Sequence, residues 1–291
     1  MIGRRELMLG GCAALATASH GSARFAPPGP LENEFARIEI ERGGRLGVAL
    51  LDTLDGRFVG HRADERFAMC STFKLLAGGA VLARVDAGKD RLDRRIRYDA
   101  KHLVTYSPVT EKNLATGMTL AGLCDAAITL SDNTAGNLLL STIGGPEGLT
   151  AFVRTLGDTV TRLDRIETEL NEAVPGDPRD TTTPAAMASD IRALVLGDAL
   201  SAASREQLKA WLIANKTGGT RIRAGVPAGW IVGDKTGTGG RGTNNDVGIL
   251  WPPGRAPMIL CVYLTETSAS FEARNATIAA VAKAVTTIPS N

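Results

Sequence analysis

In the run MCSTFKLL, residues 69–76, Ser71 and Lys74 stand three residues apart in an otherwise apolar stretch. On a helix that spacing puts both side chains on one face. A lysine held in a partly desolvated site loses proton affinity, so it can take the serine proton and leave an activated oxygen. A serine near a helix start also has main-chain NH groups and the positive end of the helix dipole beside any oxyanion that develops. The residue types point to acyl transfer through serine. An S-x-x-K spacing is expected roughly once by chance in a chain of this length, so the pair carries weight only with companions. Histidine offers little competition: beyond residue 23 there are only His61 and His102, not spaced for zinc and a thin supply for a Ser-His-Asp triad.

The elements that must position this pair are legible. With 291 residues and 44% apolar content, the chain can bury a large core as one domain or two intimate ones. Leu31, Phe35 and Ile38 repeat at helical spacing. RLGVALLDT and RFVGHRA read as strands joined through a hairpin turn. From residue 64 to about 213 the text becomes Ala- and Leu-rich and helical. Strand character returns in GWIVGDKTG, NNDVGILW and PMILCVYLTE, before a last helix, FEARNATIAAVAKAVTTI. This predicts an α/β (α+β) fold: an antiparallel sheet from both chain ends, residues 24–63 and 214–291, flanked by terminal helices, with an all-helical domain over 64–213 inserted between. A cleft belongs at the junction. Residues 165–180, RIETELNEAVPGDPRD, form a long loop with two prolines and several carboxylates. Loops of that length in compact domains are usually functional, and Arg165 could close this one on Asp180.

Two further motifs follow in order. SDN, at Ser131, Asp132 and Asn133, opens the helix TAGNLLLSTI, and KTG, at Lys235, Thr236 and Gly237, follows the strand GWIVGD. S-x-x-K, SDN and KTG together are the set of class A β-lactamases and penicillin-binding proteins. With YSPVTEKNL, ELNEAVPGDPRDTTTP and VGDKTGTGG, the chain resembles a class A serine β-lactamase from about residue 31 onward. The resemblance implies that Ser71 is the nucleophile, Lys74 its neighbouring base and Ser131 the proton relay to the leaving lactam nitrogen. It places Lys235, Thr236, Gly237 and Thr238 on the substrate, chiefly its carboxylate, Asn133 at the acylamide side chain and Tyr106 at the mouth of the cleft. By the same resemblance the NH groups of Ser71 and Thr238 would form the oxyanion hole. The resemblance further implies that Glu167 and Asn171 hold the water that attacks the acyl-serine, that either Lys74 or Glu167 takes the serine proton in the first step, and that Glu169 is a surface carboxylate. A D,D-peptidase, or a penicillin-sensing domain that keeps its acyl group, would share the three motifs but have no use for Glu167 and Asn171.

This sequence also departs from the family pattern. Many relatives pair the cysteine matching Cys124, but the partner position here is Gly78. Carbapenem-hydrolysing relatives pair the cysteine matching Cys70 with one where this chain has Gly239. Thr238 and Arg221 nevertheless resemble those enzymes, each adding a hydrogen bond or charge at the carboxylate end. Arg221 takes the part of an arginine found elsewhere at the position of Asn244; its plainer reading is a surface cation. Thr168 stands where some relatives carry proline, and the resemblance implies a cis bond between Glu167 and Thr168.

Residues 1–23 read as an export signal: Arg4 and Arg5, a short apolar stretch, then small residues suited to cleavage. The arginine pair resembles a twin-arginine signal, with an ordinary secretory signal as the alternative, and a periplasmic location follows. The apolar stretch is too short to span a membrane. A net charge of +2, from 33 basic and 31 acidic residues, supplies no field for nucleic acid or anionic lipid. The expected partners are small β-lactams, the expected state is a monomer, and the chemistry calls for no cofactor or metal. Cys70, Cys124 and Cys261 have unrelated spacings and read as small buried apolar residues.

Overall fold

The structure is a computed structural model that describes residues 29–287; the stretch read as an export signal, residues 1–23, lies outside them. The chain runs α1 (Pro30–Arg42), β1 (Arg45–Asp52), β2 (Phe58–His61), β3 (Phe67–Ala68), α2 (Phe73–Asp86), β4 (Arg95–Ile96) and β5 (Met118–Thr119). There follow α3 (Leu120–Thr129), α4 (Asn133–Ile143), α5 (Gly145–Thr155), β6 (Thr181–Thr182), α6 (Pro184–Val195), α7 (Ala202–Ile213) and α8 (Ile222–Gly225). The last elements are β7 (Ile231–Thr238), β8 (Asn244–Trp251), β9 (Met258–Thr265) and α9 (Phe271–Val285).

Five strands form one antiparallel sheet in the order β2-β1-β9-β8-β7. The first and last parts of the chain meet where β1 pairs β9, Arg45 opposite Thr265 through to Asp52 opposite Met258. Both faces of this sheet are covered, which is why its strands read as almost unbroken apolar runs. Leu46, Val48 and Leu50 of β1, with Leu260, Val262 and Leu264 of β9, face the terminal helices and pack on Phe35, Ile38, Ile278 and Val281. Ala49, Ile259, Cys261 and Tyr263 face the other way, into a larger core with Phe73, Leu76, Leu139, Met187 and Ile191. A shift of one residue in register would exchange the two cores, so the pairing is strongly specified.

The expectation of a purely helical middle is corrected in two places. Two-residue ribbons pair β3 with β6 and β4 with β5. The stretch between α2 and α3 is mostly turns, with short 3-10 pieces at Ala100–His102 and Thr110–Asn113. Two-residue strands have no periodicity to read; they are made by tertiary contact. The β3–β6 ribbon nevertheless matters, because it ties the segment entering the Ser71 turn to the end of the long loop.

Candidate active site

Ser71 sits in a 3-10 turn, Cys70–Thr72, that runs directly into α2. Its Oγ donates to Glu167 Oε1 at 3.0 Å and accepts from Lys74 Nζ at 2.9 Å. Lys74, one turn on, is fully buried. Its Nζ also reaches the Ser131 carbonyl at 3.0 Å, Asn133 Oδ1 at 2.6 Å and Glu167 Oε1 at 2.8 Å. Burial pushes the Lys74 ammonium down from its ordinary range, and the Glu167 carboxylate pushes back. Glycine at 136 makes room for the lysine stem: a Cβ there would lie 2.7 Å from Lys74 Cε.

The SDN residues occupy the turn between α3 and α4. Asp132 caps α4, Oδ1 accepting from the Ala135 NH at 2.8 Å, while Oδ2 takes the NH groups of Val109 and Thr110 at 3.0 and 2.9 Å. That carboxylate fixes the turn and ties it to the strip bearing Tyr106. Ser131 has φ of 59° and stands between two lysines: its carbonyl faces Lys74, and its Oγ accepts from Lys235 Nζ at 2.9 Å. Lys235 is fully buried; burial first, then the nearby Lys74 charge, hold its ammonium well below the ordinary lysine range.

The long loop is closed by the pair its ends suggested. Arg165 Nε meets Asp180 Oδ2 at 2.6 Å, and Asp180 Oδ1 accepts the NH groups of Asp164 and Arg165 at 2.8 and 2.9 Å. Inside it, Glu167 turns inward, 2% exposed, and Glu169 faces solvent. Asn171 Nδ2 donates to Glu167 Oε2 at 2.5 Å, leaving the buried Asn171 Oδ1 without a protein partner. The peptide bond between Glu167 and Thr168 is cis, as the resemblance implied.

A cavity of about 350 Å³ opens over these groups. Ser71, Tyr106, Ser131, Asn133, Asn171, Arg221, Thr236 and Thr238 border it. Lys235 and Gly237 do not. Lys235 is fully buried and donates to two residues that border the cavity, Ser131 Oγ and the Thr236 carbonyl, each at 2.9 Å. Gly237 is where β7 crosses the Ser71 turn, so close that a Cβ would come within 2.7 Å of the Met69 carbonyl. Reading Arg221 as a surface cation is overturned: it is 3% exposed. Its guanidinium donates to the carbonyls of Gly237 and Asn245 at 2.8 and 2.6 Å, to Asn275 Oδ1 at 2.9 Å and to Thr238 Oγ1 at 2.7 Å. Asn244 donates to the same Asn275 oxygen at 2.9 Å, so the two positions weighed against each other share one anchor. Cys70, Cys124 and Cys261 are free and buried.

The family model of the beta-lactamase enzyme family matches residues 30–288. The chain is 53% identical to Beta-lactamase AST-1 of Nocardia asteroides over 97% of this chain and 94% of that one. It is 48% identical to Beta-lactamase CTX-M-8 of Citrobacter amalonaticus, over 97% of both. Among solved structures, the ancestral class A β-lactamase GNCA superposes with a TM-score of 0.87 at 65% identity, over 88% of this chain and 98% of that one. A second reconstructed ancestor, GNCA4, gives 0.88 at 64% identity over 89% and 98%. This chain belongs to the class A β-lactamases.

Three residues of this β-lactamase's site carry no motif and escaped the sequence reading. Thr217 and Phe271 border the cavity, and Thr217 Oγ1 lies 2.5 Å from Thr236 Oγ1. Asn137 clamps the backbone of Glu167 from both sides: its Nδ2 donates to the Glu167 carbonyl at 2.9 Å, and its Oδ1 accepts the Glu167 NH at 2.8 Å. One signal could have found it. Asn137 is four residues beyond Asn133 and therefore on the same face of α4. Among the described residues no cluster of His, Cys, Asp and Glu is arranged to hold a metal ion.

Proposed function

We propose that this β-lactamase hydrolyses penicillins and cephalosporins through an ester on Ser71. Lys74 has an acceptor for each of its protons in Ser71 Oγ, Ser131 O and Asn133 Oδ1, which favours the ammonium in the resting site in spite of burial. The Ser71 proton then passes to Glu167, 3.0 Å away, as Oγ attacks the lactam carbonyl. The oxyanion is taken by the NH groups of Ser71 and Thr238; one such donor contributes about 10²–10³-fold in rate. Ser131 Oγ, resupplied from the two lysines beside it, protonates the ring nitrogen as the C–N bond breaks. Thr236, Thr238 and Arg221, with the Lys235 charge behind Ser131, hold the substrate carboxylate, Asn133 takes the acylamide group, and Tyr106 walls the mouth. Once the Ser71 ester has formed, Glu167 passes the serine proton to Lys74 Nζ, 2.8 Å away, replacing the one sent out through Ser131, and the freed carboxylate takes a proton from a water held with Asn171. That water attacks the ester and Ser71 recovers its proton.

The observation that carries this reading is the Glu167 carboxylate, buried, held by Asn171 and within hydrogen-bond reach of Ser71 Oγ. A transpeptidase must keep water from its acyl-enzyme, whereas this site places a base beside it. Mixing the purified protein with a chromogenic cephalosporin tests it: many turnovers per molecule are expected, and Glu167→Ala should leave a long-lived adduct of the ring-opened drug's mass on Ser71. A single stoichiometric burst from the wild type would identify an acyl-trapping protein instead. The reading of residues 1–23 as an export signal, twin-arginine or ordinary secretory, supports a periplasmic enzyme that confers β-lactam resistance there.

A further inference from the structure

Eight large apolar side chains of the described residues are exposed, and only two of them, Tyr106 and Phe271, border the cavity over Ser71. Tyr106 belongs to the SDN side, where its carbonyl accepts the Asn133 NH at 3.0 Å. Phe271 stands on the opposite side. It is the first residue of α9, placed by the N-cap Ser270, whose side chain accepts from the Ala273 NH. It is 45% exposed and belongs to neither apolar core, so packing of the fold does not account for a phenyl ring here.

The ring is nonetheless held. The guanidinium carbons of Arg221 and Arg274 each lie 5.7 Å from its centroid, within cation–π range. Arg221 is fixed in turn by Asn275, two main-chain carbonyls and Thr238. The ring is therefore set relative to Thr238, one guanidinium away from the cradle assigned to the substrate carboxylate, and the residue is both half-exposed and part of the cavity border.

The covalent structure of a cephalosporin says what meets it. The carboxylate-bearing carbon is joined by a double bond to the carbon carrying the variable substituent, so a carboxylate seated against Thr236, Thr238 and Arg221 brings that substituent beside Phe271. We infer that Phe271 is a specificity-determining residue: its exposed face stacks a flat, unsaturated substituent on the carbon next to the carboxylate-bearing one. A methyl group at that carbon offers little area to stack, and the acylamide group at the far end of the substrate faces Tyr106 and Asn133 instead. The inference rests on the carboxylate orientation proposed above.

Two cephalosporins with the same acylamide group, one bearing a flat aromatic substituent at this carbon and one a methyl, test it with the full-length enzyme. The ratio of their kcat/KM values, aromatic over methyl, falls about tenfold in Phe271→Ala, mainly through KM, and stays within about twofold of wild type in Phe271→Tyr, which keeps the ring. A ratio unchanged in Phe271→Ala, or equally lowered in Phe271→Tyr, overturns the inference. A wild type that turns over neither substrate overturns the hydrolase reading itself; one that turns over both with a ratio insensitive to Phe271 overturns this inference alone.

Discussion

Replacing Asp190 by asparagine should make this enzyme more stable, and increasingly so as pH rises. Asp190 lies within α6, 1% exposed. Neither of its carboxyl oxygens has a hydrogen-bond partner, and Oδ2 of Asp158 also lacks one. Two carboxylates side by side explain all three orphans, because neither can donate. A proton on Asp190 lets it donate to Asp158, whose other oxygen is occupied by the NH groups of Val160 and Thr161. Burial first, and the Asp158 charge second, raise Asp190 from 3.8 to about 9. Of the groups around it, Arg154 opposes the shift, while burial keeps Cys261 and Tyr263 of β9 neutral. The native chain thus holds a proton that the unfolded chain has released at neutral pH. The carboxyl's contribution to stability is complete below about pH 3.8 and is lost steadily as pH climbs toward 9. Each pH unit costs about 1.4 kcal/mol, roughly 4 kcal/mol in all at pH 7. Asparagine needs no proton and offers an N–H to Asp158. Its remaining polar atoms return about 1–2 kcal/mol of that gain. The net is about 2–3 kcal/mol at pH 7, a rise of roughly 5–10 °C in Tm. Urea unfolding of both proteins from pH 5 to 8 checks it: the gap should widen by about 1.4 kcal/mol per unit. A gap that does not change with pH, or a variant less stable than wild type at pH 8, refutes the shared proton.

Arg221→Ala strips two buried carbonyls and the Thr238 hydroxyl of their donor. It should cost about 3 kcal/mol or more in unfolding free energy and raise KM for β-lactams about tenfold, and lysine, lacking the planar fork, should restore neither in kinetics and chemical denaturation. Gly239→Cys tests the brace that this chain lacks. A Cβ there would stand 2.6 Å from Cys70 Sγ and equally near the Asn171 carbonyl. Because burial holds the Cys70 thiol protonated, a bridge should form only slowly on oxidation. It should cost two titratable thiols in the denatured protein and slow ester hydrolysis, as the Asn171 segment is pushed from its place.

Which parts were legible follows from how each residue does its work. Ser71 and Lys74 are legible from their spacing in an apolar run, whereas Ser131 and Lys235 are legible only through the resemblance that the ordered S-x-x-K, SDN and KTG motifs carry. Arg165 and Asp180 were legible as a pair because opposite charges bracket a loop too long to be idle. Arg221 was ambiguous because nothing in its neighbours says whether it points outward; only the carbonyls of Gly237 in β7 and Asn245 in β8, which accept from it, decide. Phe271 reads as one more apolar residue of α9, and Asp190 as an ordinary polar position of α6. Their meaning comes from partners far away in the chain: Phe271 has Arg221 beside it, and Asp190 has Asp158.

The same distinction explains how two lysines survive in one water-poor site. A single buried ammonium is tolerable when its protons are all accepted, and the four acceptors around Lys74 meet that condition. A second at Lys235 adds repulsion, which is why the Lys74 charge stands next after burial in lowering it. Ser131 divides the two, with its carbonyl toward one and its hydroxyl toward the other, an arrangement that goes with its left-handed backbone at φ 59°. Asp234 and Glu167 already oppose that lowering, and in the mechanism proposed above a substrate carboxylate beside Thr236 would add to them and stabilise the Lys235 ammonium further. On that proposal binding and proton delivery through Ser131 are coupled electrostatically, and a substrate without the carboxylate should lose kcat as well as affinity.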